Sequence, residues 1–286
     1  MEHRVDARCS VLVMEHVADI QQPARLNEPV EPRIRLLGMP LSVVTERQAV
    51  RHIIDSAAAG RGGWVITPNL DQLRLYRKNP ALRPMYEEAN LVVADGMPLV
   101  WASRLQKTPL PERVAGSSMI FSLSSAAAEA QHSVFLLGGN PGAAELAGEE
   151  LVKKYPGLRI VGTHCPEFGF EDDAAKMQRI VDLLIEKQPA IVYVCLGFPK
   201  QEKLIERIRP ALPKAWYLGI GISFSFVAGE IKRAPCWMQK LGLEWIHRMI
   251  QEPGRLLKRY LVHGIPFAAS LFVRAFFARF NHRKQP

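Results

Sequence analysis

The chain alternates short apolar runs with longer segments whose apolar residues recur at helical spacing. Residues 91–94, 133–137, 190–196 and 216–220 are continuous apolar runs with β-branched or aromatic members, the pattern of strands covered on both faces. Residues 64–67 predict a further strand, and residues 35–44 open the folded region as a strand or hairpin. Between these runs lie helical patterns. Thr45 stands where it would cap a helix in which Ala49, Ile53, Ile54 and Ala57 share a face. Leu70, Leu73 and Tyr76 mark a second helix ended by Pro80 and Pro84, residues 97–106 a third, and Met177, Ile180, Val181, Leu184 and Ile185 the stripe of another. Strand–helix units with glycine or polar residues at the strand ends predict an α/β fold: a Rossmann-like, mostly parallel sheet with helices on both faces.

The pattern changes after Glu230. Residues 235–252 read as one helix with Met238, Leu241, Trp245 and Met249 on a stripe, Pro253 and Gly254 break it, and a basic helix starts near Arg255. Residues 261–273 are the most apolar stretch, but this run of about thirteen residues contains His263 and Pro266 and falls short of the ~20 that span a bilayer. It is expected to lie on a membrane or pack on the core, not to cross. Residues 1–33 mix charge, Gln and Pro without periodicity and are expected to form a poorly ordered leader. The organisation is therefore a leader (1–33), a core (34–230) and a helical appendage (231–286).

Charge sharpens that division. The net charge is +9, and eleven Lys and Arg against Glu244 and Glu252 beyond residue 230 account for all of it. The same segment holds eight of the 23 aromatics. Basic groups interleaved with large apolar ones suit an anionic membrane surface, and no nucleic-acid partner is expected. Cys9, Cys165, Cys195 and Cys236 are scattered with neither disulfide nor zinc spacing, which fits a reducing cytoplasm. Glu15, His16 and Asp19 interrupt the apolar residues 9–13, so no signal peptide is expected.

Candidate chemistry gathers at the predicted carboxyl ends of strands, where ligands of open parallel sheets bind. Asp95 follows the 91–94 run with Gly96 behind it; it reads either as a substrate-facing acid or as a helix N-cap. Thr67 and Asn69, split by Pro68, can aim donors and acceptors at a ligand, or serve turn and cap. Arg113 sits in a Pro- and Gly-bounded loop, where a guanidinium could grip a phosphate. Gly138, Gly139 and Asn140 open a helix in the geometry that meets phosphate or ribose, and Lys200 and Gln201 stand at another helix start. Glu171, Asp172 and Asp173 look like a metal motif but read better as a charged helix start, and no metal site is expected.

In the motifs TPN, ADGMPLVWASR, PERVAG, LLGGNPG, GFPKQE and AGEIKRAPCWMQKLGLEWIHRMIQEPGRLLKRY, taken in this order, the chain resembles the TagA/WecG/CpsF family of bacterial glycosyltransferases over about residues 34–274. The resemblance implies an inverting, metal-independent enzyme that needs no cofactor. It would move a sugar from a UDP-sugar to a polyprenyl-diphosphate-linked saccharide at the inner face of the cytoplasmic membrane, for cell-surface polysaccharide synthesis. Family members transfer N-acetylmannosamine, its uronic acid, or glucose. The family's general base falls on Asp95, with Thr67, Asn69, Arg113 and Gln201 at other motif positions. Appendage arginines fall on Arg248 and Arg255, and a third on Lys258 or Arg259. Gly138, Gly139, Asn140 and Lys200 are expected to meet the UDP moiety. A dinucleotide-dependent oxidoreductase would use the same sheet, but the glycines do not form GxGxxG and no ribose-binding acid ends the next strand. A non-catalytic membrane adaptor would explain the tail only.

Overall fold

The computed structural model describes residues 32–281; residues 1–31, nearly all of the expected leader, lie outside the described residues. The first described element is an antiparallel hairpin, β1 (Arg33–Leu36) and β2 (Met39–Ser42). Thr45 then caps α1 (Glu46–Ala58) through a reciprocal box with Gln48, as the sequence predicts.

The main sheet has six parallel strands. Their order is β4 (Leu91–Val92), β3 (Gly63–Ile66), β8 (Trp216–Gly219), β7 (Ile191–Cys195), β5 (Ser133–Gly138) and β6 (Arg159–His164). Helices α2 (Leu70–Lys78) and α3 (Arg83–Glu88) lead into β4; α4 (Met97–Leu105) and α5 (Gly116–Glu129) lead out of it. The later crossovers are α6 (Ala143–Lys154), α7 (Ala174–Lys187) and α8 (Lys200–Ile208), and α9 (Ser223–Val227) follows β8.

Two apolar layers explain why the strand runs are continuous rather than alternating. Val65, Val134, Leu136, Tyr193 and Leu218 face one layer with α1, α5 and α6; their neighbours Ile66, Phe135, Leu137, Val192 and Tyr217 face the other, with α2, α3, α4, α7 and α8. A sheet covered on both sides leaves only its strand ends open to ligand. From β5 the chain crosses outward to β6, whereas from β7 it crosses back to β8, so the Gly138 turn and the Gly197 turn flank a point where the connections diverge.

Two expectations for the tail are corrected. Residues 235–252 are two helices, α10 (Cys236–Lys240) and α11 (Glu244–Gln251). Gly242 separates them in a left-handed conformation (φ 70°), and a Cβ there would meet the Met97 side chain at 2.6 Å, so the turn is set by close packing on α4. Beyond it, α12 (Pro253–Leu257) passes through a π-helical stretch, Lys258–Gly264, into α13 (Ile265–Asn281). The break expected at Pro253 is present, since α11 stops at Gln251 and Pro253 takes the first position of α12, and the widened π turns just before Pro266 relieve the clash a proline makes with the preceding turn. Lys258–Phe280 is consequently one 23-residue helix, long and apolar enough by length and composition to cross a membrane, not the thirteen-residue stretch expected. It also packs on the core: Leu271 and Ala275 are buried in the layer that includes Leu99 and Val100 of α4.

Candidate active site

Asp95 leaves β4 in the middle of three stitched segments. Its N–H donates to the carbonyl of Pro68 at 2.9 Å, and the carbonyl of Ala94 accepts from the N–H of Val114 at 2.9 Å, drawing the TPN, ADG and ERV motifs together. The N-cap of α4 is Gly96, with no side-chain cap bond. The capping reading of Asp95 therefore falls, and its carboxylate is left for other work. Asp173, by contrast, does cap: it accepts from the N–H groups of Ala175 and Lys176, as the helix-start reading of the acidic triplet predicts.

The carboxylate of Asp95 meets charge brought from several elements. Arg113 Nη1 lies 3.8 Å from its Oδ1 and 3.1 Å from Oε2 of Glu244, an acid on α11. Glu244 Oε1 lies 3.6 Å from Nε of Arg233, whose outer nitrogens donate to Ser117 O (3.1 Å) and Ser118 Oγ (2.8 Å) at the start of α5. Burial pushes the Asp95 carboxyl up to about 7; Arg113 opposes that, Glu244 reinforces it, and Arg233 and Arg248 oppose it more weakly. With 28% of its side chain exposed, Asp95 still opens to solvent. A carboxylate in this condition is poised to accept a proton near neutral pH.

Three other sequence-derived residues are braces in this structure. Thr67 is buried and donates from Oγ1 to the carbonyl of Gly219 at 2.9 Å, tying β3 to β8. Asn69 caps α2, its Oδ1 accepting from the N–H groups of Asp71 and Gln72. Gln201, 1% exposed, accepts from the N–H of Gly221 at 3.0 Å and donates to Oε1 of Glu202 at 2.9 Å. Thr67 and Gln201 thus hold the end of β8, one strand removed from β4 and Asp95.

The divergence point carries the remaining candidates. Gly139 turns its N–H back to the carbonyl of Cys195 at 2.6 Å, while Asn140 is exposed and its carbonyl accepts from the N–H of Ala143 at the start of α6. Lys200 is ion-paired with Glu171 and lies over the ring of Phe168, so its ammonium is already engaged. Arg248 stacks on Phe226 at 5.7 Å with its Nε buried and without a hydrogen-bond partner among the described residues. The backbone of Arg255 lies in α12; its side chain is outside what the structure describes. Among the described residues no group of three or more His, Cys, Asp or Glu is gathered to hold a metal ion.

Sequence reasoning missed Glu244, Arg233 and Glu202. Glu244 had a signal, since it is one of two acids among eleven cations in the tail. Glu202 had none: an acid in the first turn of a helix reads as dipole compensation, yet here it is fully buried, its carboxyl pushed up to about 7 by that burial.

Comparisons with known proteins give the family of the chain. Over 196 residues the chain is 30% identical to an N-acetylglucosaminyldiphosphoundecaprenol N-acetyl-beta-D-mannosaminyltransferase of Bacillus spizizenii, covering 68% of this chain and 74% of that protein. A protein of the same description from Bacillus subtilis is 33% identical over 168 residues, 58% of this chain and 63% of its own length. The description of glycosyl transferases of the WecG/TagA/CpsF family matches residues 34–281, which include every motif brought together around Asp95, and the chain belongs to that family.

Proposed function

We propose that this glycosyltransferase moves an N-acetylhexosamine from a UDP-sugar to a polyprenyl-diphosphate-linked saccharide with inversion, using Asp95 as general base. The observation that carries the reading is the state of Asp95: a partly exposed carboxyl that caps no helix, pushed up to about 7 by burial, with Arg113 3.8 Å away. N-acetylmannosamine is the favoured sugar, and N-acetylglucosaminyl-diphosphoundecaprenol the favoured acceptor, because the relatives' descriptions name that pair.

In this reading Asp95 takes the proton from an acceptor hydroxyl as its oxygen attacks the anomeric carbon. The bond from that carbon to the diphosphate oxygen breaks on the opposite side, so a single displacement inverts the centre and UDP departs with the bonding electron pair. Arg113, Arg233 and Arg248 are cations whose charge acts on Asp95, and guanidiniums can neutralise a leaving diphosphate directly. The role of Gly138, Gly139 and Asn140 toward the nucleotide rests on their place at the divergence point. Thr67 and Gln201 serve as positioning residues on this reading.

The expected outcome is that Asp95→Asn loses transfer by about 10²-fold or more while UDP binding survives, measured by initial rates and calorimetry on the same preparation. Wild-type turnover in that variant would sink the base assignment. Activity should also persist in excess EDTA, because the groups proposed to meet the diphosphate are guanidiniums; loss restored by Mg²⁺ or Mn²⁺ would refute that part. The cytoplasmic face of the membrane is the proposed site of action, with the basic, aromatic appendage lying on the lipid that carries the acceptor.

A further inference from the structure

We propose that Glu244, an acid carried by the appendage, is a positioning residue of the transfer step: by holding Arg113 it keeps that guanidinium off Asp95 and leaves the Asp95 carboxylate open to the acceptor hydroxyl. The inference rests on Asp95 being the base.

The geometry is specific. Arg113 divides its attention between two acids, and its hydrogen bond goes to Glu244 (3.1 Å) rather than Asp95 (3.8 Å). Both members of the closer pair are largely shielded, with 17% and 15% of their side chains exposed, so solvent screens the contact only in part. The other oxygen of Glu244 lies 3.6 Å from Nε of Arg233, an ion pair without a hydrogen bond, and Arg233 is itself tied to Ser117 and Ser118 on a different element. The result is a chain of alternating charge, Asp95–Arg113–Glu244–Arg233, running from the strand end into the appendage.

The charges facing Asp95 come from three places. Arg113 approaches from the loop after α4, Glu244 and Arg248 from α11, and Arg233 from the segment between α9 and α10. Glu46 of α1 faces the same two arginines, Arg113 and Arg233, and Glu112 hydrogen-bonds the Glu46 N–H. Of the charges that act on Asp95, Glu244 alone raises its affinity for a proton. Without Glu244, Arg113 would be left with Asp95 as its nearest acid; a direct ion pair there would stabilise the carboxylate, occupy a lone pair and weaken the base. The appendage would thereby act on the chemistry through an acid, although its net charge is positive.

The test is the pH dependence of kcat/KM for the full chain, with UDP-N-acetylmannosamine as donor and N-acetylglucosaminyl-diphosphate carried on a short polyprenyl chain as acceptor. Glu244→Gln keeps the shape and removes the charge. It should lower the high-pH plateau about tenfold and move the acid limb down by about one pH unit, so that its deficit shrinks as pH falls. Glu244→Asp keeps the charge; its plateau can drop, but its acid limb should stay with the wild type. Thermal unfolding of each variant accompanies the rates. A uniform loss at every pH with the limb unmoved in Glu244→Gln would mean a merely structural contact and overturn the proposal. So would a limb in Glu244→Asp displaced downward by about one pH unit, a criterion set against the wild type that stands even if Glu244→Gln does not fold. Asp95→Asn, run alongside, separates the two levels: if it remains active, the base reading itself falls, whereas an inactive Asp95→Asn with an unmoved Glu244→Gln profile sinks only the role of Glu244.

Discussion

At Asp95 the proposed function and stability pull in opposite directions. An unfolded aspartate ionises near 3.8, whereas the folded protein holds this one protonated up to about 7. Between those values the unfolded chain loses a proton that the native state keeps, so stability falls as pH rises from about 4 to about 7 and stays lower above. Asp95→Asn removes that cost: it should melt with the wild type at pH 4 but about 2–6 °C higher at pH 8, the size being limited by the solvent that reaches the side chain. Equal melting points at pH 8 would show that Asp95 ionises there without penalty. Gly219 offers a second test at this scale, because a Cβ on it would stand 2.5 Å from the Gln201 amide nitrogen. Gly219→Ala should displace Gln201, free the Gly221 N–H and cost about 1–3 kcal/mol, read as a fall in melting temperature together with reduced turnover. A variant as stable and as active as the wild type would show that Gln201 braces nothing. These positions also mark what a sequence displays at this scale. Asp95 was visible because an acid that ends an apolar run is costly unless it is used. Thr67 and Gln201 were visible as candidate site residues, but their bonds to Gly219 and Gly221 join residues 152 and 20 positions apart, and no local pattern encodes them.

At the scale of elements, the sheet was readable and the tail was not, for one physical reason. Strands buried on both faces must be apolar throughout, so β5, β7 and β8 stand out in the sequence within a residue or two of their observed ends. β4 is only two residues long in the ladder, and the apolar run suggested four; Val93 continues the pairing through its bond to Ile66 without making a regular ladder. In the tail, local signals mislead because tertiary contact overrides them. Gly242 breaks a stripe that looked continuous so that the chain can approach Met97, and Pro266 is tolerated where the π-helical turns give it room. The packing of α13 on α4 has a direct consequence. Leu271 is fully buried there, so Leu271→Ala should cost about 2–5 kcal/mol and lower the melting temperature of the whole protein in one cooperative transition. A separate low-temperature transition would instead mean that the tail is an independent unit.

Across the whole molecule, charge and apolar surface are divided between two regions. The first 230 residues balance to zero, and the appendage carries the excess positive charge together with Phe276, Phe277 and Phe280, which are 41%, 63% and 49% exposed. Arg279 lies over two of those rings, at 5.1 and 5.2 Å, and Arg274 is exposed on the same helix. Because Leu271 and Ala275 hold the opposite side of this helix on the core, the three phenylalanines form a face fixed to the body that holds Asp95. Each Lys or Arg near an anionic surface contributes about 1 kcal/mol, and inserted aromatics add to that. Replacing Phe276, Phe277 and Phe280 together with serine should therefore abolish co-sedimentation with anionic vesicles while the melting temperature stays within about 2 °C, since no packed contact in the core is lost. Turnover should fall on an acceptor embedded in vesicles and be retained on one with a short, soluble polyprenyl chain, because the machinery around Asp95 is untouched. If the triple variant still sedimented with vesicles, or lost activity equally on both acceptors, the face would not be the membrane contact, and the appendage would act on the reaction only through Glu244 and the arginines beside it.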